Sequence, residues 1–142
     1  MMSLNIDEIY DLFIWDPSYT EEEYDARVQQ GIAEASKLRN IYPFIQPVIA
    51  GEKSSKSVWE ACAQVVALKS NEELEKYIYL LLKWLKDMNW PGAEVIFERL
   101  SRIPYAEIEA MVECSISWAK QENDKYWLST LEALRDQRDW WL

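Results

Sequence analysis

An all-α fold is predicted by three observations. Apolar residues recur at three- and four-residue spacing through most of the chain, capping patterns open several of those stripes, and no stretch alternates as a strand or carries an Asn-Gly or Asp-Gly hairpin signal. Seven or eight helices are expected, in a single domain over residues 1–142: acidic helices over 1–52 and helix pairs over 53–142. A chain of 142 residues buries roughly 68–70% of its unfolded surface, enough for a core without metal or disulfide.

The elements follow in order. Asn5-Ile-Asp-Glu8 resembles a capping box ahead of Ile9, Leu12 and Phe13, and Thr20-Glu-Glu-Glu23 is a clearer one. The helix it starts runs through Tyr24, Val28, Ile32, Ala35 and Leu38, and Gly31 inside it either weakens it or marks a close approach of another helix. Pro43 suits the first turn of a short helix, and Pro47 kinks or ends it. Residues 51–56 read as a polar loop before a further box, Ser57-Val-Trp-Glu60, and a stripe of Val58, Cys62, Val65 and Val66. Ser70-Asn-Glu-Glu73 opens a helix whose apolar residues, Leu74 to Met88, nearly encircle it, as in a buried helix. Ala93 to Ile103 form the next stripe, and Pro104 interrupts before Ile108 to Ala119. Asn123 or Asp124 caps a last helix carrying Trp127, Leu131 and Leu134. The tail ends in Trp140-Trp141-Leu142, two large rings expected to dock on that helix.

Helix starts at Ser57, Trp90 and Asp124 recur about one helix pair apart. This is the period of α-solenoid units, which bury their faces by stacking on neighbours, and it predicts an α-α superhelix.

Net charge is −10 and unevenly placed: residues 1–52 hold ten acids and three bases, 53–102 seven and eight, 103–142 eight and four. Such a surface disfavours nucleic acid and anionic membrane, which require Lys and Arg against phosphate, and steers a basic partner. Lys53, Lys56, Lys69, Lys76, Lys83 and Lys86 alternate with acids and form no basic groove. No apolar run approaches the ~18 residues of a membrane span, and the first residues lack the basic and apolar regions of a signal peptide, so a cytoplasmic protein is expected. Cys62 and Cys114, each inside a predicted helix, read as buried free thiols.

The absence of histidine excludes Ser-His, Cys-His and His-metal sites. No phosphate-binding glycine loop is present, no metal spacing exists, and no cofactor is expected. An enzyme working through carboxylates alone is conceivable, but no Asp/Glu pair stands out; Glu21, Glu22, Glu23 and Asp25 sit on a solvated first turn where the helix dipole favours negative charge.

The densest motif is Trp84-Leu-Lys-Asp-Met-Asn-Trp-Pro-Gly-Ala93. Each residue has an expected structural role. Lys86–Met88 finish one helix, Asn89 caps the next, and Trp90 and Pro91 occupy its first turn. Gly92 lets backbones approach, Asp87 accepts from free amides or the Trp90 indole, and Trp84 packs on Trp90. The alternative is an aromatic-acid patch that touches a partner.

This motif resembles the signature, Trp-Leu-x-Asp-x-Asn-Trp-Pro, of a small uncharacterised bacterial family of short HEAT-like helical repeat proteins, and Asp124–Leu134 is similar to the helix that ends such domains, with Leu128 where a basic or polar residue is expected. The likeness covers roughly residues 57–135; Ile14–Asp25 and Tyr42–Pro47 look like an N-terminal extension. It implies a right-handed HEAT-like or armadillo-like solenoid and brings no catalytic residues. Family members resemble proteins of toxin-immunity neighbourhoods. The expected function is a non-enzymatic protein-binding module, of immunity type, neutralising a basic toxin partner through Trp15, Asp16, Glu21, Glu22 and Asp25 by steering and aromatic anchoring. A general scaffold acting through adaptor contacts, or through homo-oligomeric contacts at Trp140 and Trp141, is the alternative; a monomer or weak homo-oligomer is expected.

Overall fold

The first helix, α1 (Ile6–Phe13), begins where the sequence predicts. In the computed structural model, which describes residues 4–46 and 58–141, Asn5 Oδ1 accepts from the Glu8 amide at 2.9 Å and Glu8 Oε1 accepts from the Asn5 amide at 3.2 Å. That is the complete reciprocal box. Helix α2 (Glu21–Ser36) has only the forward arm, the Glu23 amide donating to the Thr20 hydroxyl at 3.0 Å. The clearer box in the sequence is thus the half-made one in the fold, and the Glu23 carboxylate stays exposed with its neighbours.

α1 and α2 pack on each other. The Tyr24 hydroxyl donates to the Phe13 carbonyl at 2.7 Å, pinning the start of α2 to the end of α1. Gly31 is a close-approach glycine: a Cβ there would stand 2.5 Å from Phe13 Cε1. Tyr42–Phe44 form a 3-10 turn with Pro43 at its start, and Phe44 is fully buried. The predicted Pro47 break, the 51–56 loop and the Ser57 cap lie outside the described residues.

The remaining helices are α3 (Trp59–Ala67), α4 (Asn71–Leu74), α5 (Ile78–Trp84), α6 (Ala93–Ser101), α7 (Tyr105–Gln121) and α8 (Lys125–Arg135), with no strand among the described residues. Ser70 and Glu73 form the predicted box at α4, which leads into α5 through the 3-10 turn Glu75–Tyr77. Asp124 caps α8, accepting from the Trp127 amide at 3.0 Å, while Asn123 takes the left-handed conformation that ends α7. Helix α3 lies on α6, α6 touches both α5 and α8, and α5 lies on α7. α7 also pairs with α8, and α2 lies on α3. α3, α6 and α8 begin at residues 59, 93 and 125.

Trp84 and Trp127 are the largest fully buried side chains, and each indole N–H reaches a backbone carbonyl: Pro91 at 3.1 Å and Leu82 at 2.9 Å. Satisfying these donors is what makes two buried indoles tolerable in the core. Two buried cations are less expected. Lys69, in sequence one of several lysines alternating with acids, is 7% exposed and donates to the Ser36 and Leu38 carbonyls, each at 2.8 Å. Arg99, also buried, donates to the Lys69 carbonyl at 2.8 Å and to Asn71 Oδ1 at 2.6 Å. None of the described helices is long and apolar enough to cross a membrane.

Candidate functional site

The corner between α5 and α6 is longer than the sequence suggests. α5 ends at Trp84, and Leu85–Gly92 are turns. Asp87 Oδ1 accepts from the Asn89 amide at 2.9 Å, and the Asp87 carbonyl accepts from the Trp90 amide at 3.0 Å. The Trp90 carbonyl then accepts from the Ala93 amide at 3.1 Å, across Pro91 and a Gly92 with φ 85° and ψ −12°. Pro followed by a positive-φ Gly under such a bond is a type II turn.

Several expected roles therefore change. Asn89 does not cap α6; Gly92 stands at that position, without a side-chain cap. Pro91 lies before the helix rather than in its first turn, and Asp87 holds the Asn89 amide rather than an indole. Trp84 does not brace Trp90 directly. Trp59 of α3 packs on both, its ring centroid 6.4 Å from that of Trp84 and 5.7 Å from that of Trp90, both edge-to-face. The reason is the tight seat of the corner on α3: a Cβ on Gly92 would lie 2.6 Å from Ala63 Cβ. The Pro-Gly dipeptide is itself a turn signal and could have indicated this.

One flank of the corner is open. Lys86–Asn89, the α8 cap Asp124 and the α8 residues Tyr126, Ser129 and Thr130, with Trp140, line a cleft of about 460 Å³. The Lys86 ammonium lies 4.6 Å from the Trp127 ring centroid and 3.3 Å from Glu122 Oε2. Trp140 is half-buried against the core, as expected, but Trp141 is 65% exposed, its ring edge-on to Trp140. A second cleft, of about 500 Å³, has Ile78, Ile103 and Ile108 along it with Glu72, Glu75 and Glu107.

The acidic residues picked from the sequence cluster at the α1–α2 connection. Ile14 and Trp15 are exposed, Trp15 by 54%. The connection is held by its own hydrogen bonds. The Ser18 amide donates to Asp16 Oδ1 at 2.8 Å, the Tyr19 amide to the Asp16 carbonyl at 2.9 Å, and the Arg27 guanidinium lies over the Tyr19 ring. The bonds from Ser18 hold the Asp16 carboxyl below its ordinary range. Glu21, Glu22 and Asp25 are exposed and form no ion pair among the described residues. Among those residues no group of three or more Cys, Asp or Glu converges as metal ligands.

The family model of a domain of unknown function, DUF5071, matches residues 53–138, more than half of the chain. The chain belongs to the DUF5071 family. No curated protein and no solved structure matches it. The DUF5071 segment contains the whole corner and the α8 wall of the cleft, with Trp140 two residues beyond its end; α1 and α2, with Trp15 and the acidic turn, precede it.

Proposed function

We propose that this DUF5071 protein is a non-enzymatic binding module whose α1–α2 end receives a basic protein, in the manner of an immunity protein that neutralises a basic toxin domain. The observation that carries the reading is Trp15. It is a large exposed ring directly before a turn held by hydrogen bonds to Asp16, in a stretch whose carboxylates form no ion pair among the described residues. Such a ring loses little conformational freedom when it is buried by a partner, and aromatic residues of this kind dominate interface energies. Glu21, Glu22 and Asp25 supply long-range attraction for a cationic surface. The packing of α3 on α6 and of α6 on α8 supports a HEAT-like stack behind this end, a base on which such a surface is displayed.

The test has two parts. The protein is co-expressed with the product of the adjacent gene, and rescue of growth identifies the partner. Association is then measured for the wild type and for Glu21→Lys/Glu22→Lys/Asp25→Lys. On-rate is expected to fall about tenfold or more at low salt, with a shallower salt dependence. An unchanged on-rate and salt slope overturns the assignment to this surface. Trp15→Ala is expected to act on the off-rate instead.

A further inference from the structure

The cleft between the corner and α8 has its own chemistry. Two half-buried carboxylates, Asp87 and Asp124, line it together with the rings of Trp140 and Tyr126. Each carboxylate is oriented by a backbone amide, from Asn89 at 2.9 Å and from Trp127 at 3.0 Å, and neither forms an ion pair among the described residues. Lys86, the one base lining this cleft among the described residues, is engaged with Glu122 and the Trp127 ring. An anion entering the cleft meets like charge. A neutral ligand desolvates two carboxylates and returns no charge to them. A planar cation satisfies both features at once: its N–H groups reach fixed carboxylate oxygens and its face lies on an aromatic ring. The volume, about 460 Å³, suits a single side chain with its flanking backbone.

We propose that this cleft is a second contact for the partner and takes one arginine side chain, with Asp87 and Asp124 accepting from the guanidinium and Trp140 stacking on it. The proposal rests on the reading of the chain as a receptor for a basic protein, and it names the part of that partner the family segment would hold.

The test uses the short peptide acetyl-Gly-Arg-Gly-amide and its citrulline counterpart, which keeps shape and loses charge. Each is titrated into the full chain and followed by amide and indole nuclear magnetic resonance. Saturable shifts at the Trp140 indole and the Ser129 amide are expected with the arginine peptide only. Asp87→Asn and Asp124→Asn keep an oxygen for the Asn89 and Trp127 amides, so both variants are expected to melt as the wild type. Each is expected to weaken the arginine peptide about fivefold. Equal binding of the citrulline peptide, shifts confined to another surface, or undiminished binding by the Asp87→Asn/Asp124→Asn double variant overturns the proposal. Neither peptide nor variant involves Glu21, Glu22 or Asp25, so a failure here is distinct from a failure of the α1–α2 surface.

Discussion

The ammonium nitrogen of Lys69 lies 2.8 Å from the backbone carbonyl of Leu38, just past the C-terminal end of α2. With the Ser36 carbonyl at the same distance, the lysine neutralises the negative end of that helix and satisfies two acceptors. Lys69→Met keeps the length and apolar stem but strands both carbonyls. A loss of about 2–3 kcal/mol in urea unfolding is expected, with faster amide exchange concentrated in the last turn of α2. A loss within 0.5 kcal/mol, the ordinary range of surface substitutions, would mean that water replaces the ammonium there at no cost.

Gly92 combines φ of 85° with a neighbour, Ala63, whose Cβ a new methyl would approach to 2.6 Å. The left-handed conformation alone disfavours Ala by about 1–2 kcal/mol, and overpacking typically adds 1–3 kcal/mol. Gly92→Ala is therefore expected to lose about 2–5 kcal/mol. Adding Ala63→Gly should restore the packing part and leave the backbone part, a partial rescue visible in a double-mutant cycle. Complete rescue would show that backbone strain contributes little; no rescue would show that the contact with Ala63 does.

Trp84 and Trp90 frame the same turn but differ in burial. Trp84 is fully buried with its indole bonded to Pro91, whereas Trp90 is only half-buried against Trp59. Trp84→Ala is expected to lose about 3–5 kcal/mol and Trp90→Ala roughly half as much. The order of the two thermal midpoints checks this. A larger loss at Trp90 would imply that the corner depends on the Trp59 contact more than on the indole bond.

Burial pushes the Cys62 thiol up from its ordinary 9.0 to about 12, and burial also raises the Tyr10 hydroxyl. Both groups are neutral in the fold and lose their protons first in the unfolded chain. Above about pH 9 the unfolded state therefore binds fewer protons, and stability falls with rising pH toward the folded value of about 12. Cys62→Ala should flatten the decline. At neutral pH a disulfide reagent should label half-buried Cys114 in the native protein and Cys62 only on unfolding; equal rates would contradict the burial.

Much of the fold is legible in the sequence because it rests on local rules. Asn5, Ser70 and Asp124 cap the helices they precede, and the apolar stripes mark the buried faces. What local rules miss is tertiary. The reach of Lys69 to α2 and of Arg99 to the α3–α4 turn spans some thirty residues of chain, and nothing at either end marks the partner. The corner departs in detail from its local signals for the same reason. Asn89 is a good cap by type, but the seat of Gly92 on Ala63 decides where α6 begins. The cleft arises only when the corner, α8 and Trp140 meet, so Asp124 reads in sequence as a cap and nothing more.

The packing of α2 on α3 crosses the point where the family match begins. Lys69 fastens that junction from the family side, and Arg99 in turn holds the Lys69 carbonyl. The family match therefore begins inside a packed contact, with α2 on one side of the boundary and α3 on the other. A chain cut at residue 53 would retain the whole inherited pattern yet bare the flank of α3 and leave a buried ammonium with no acceptor from α2. The frontier of kinship runs between two helices that pack on each other, and α1 and α2 lend side chains to the buried core as well as carrying the proposed binding surface.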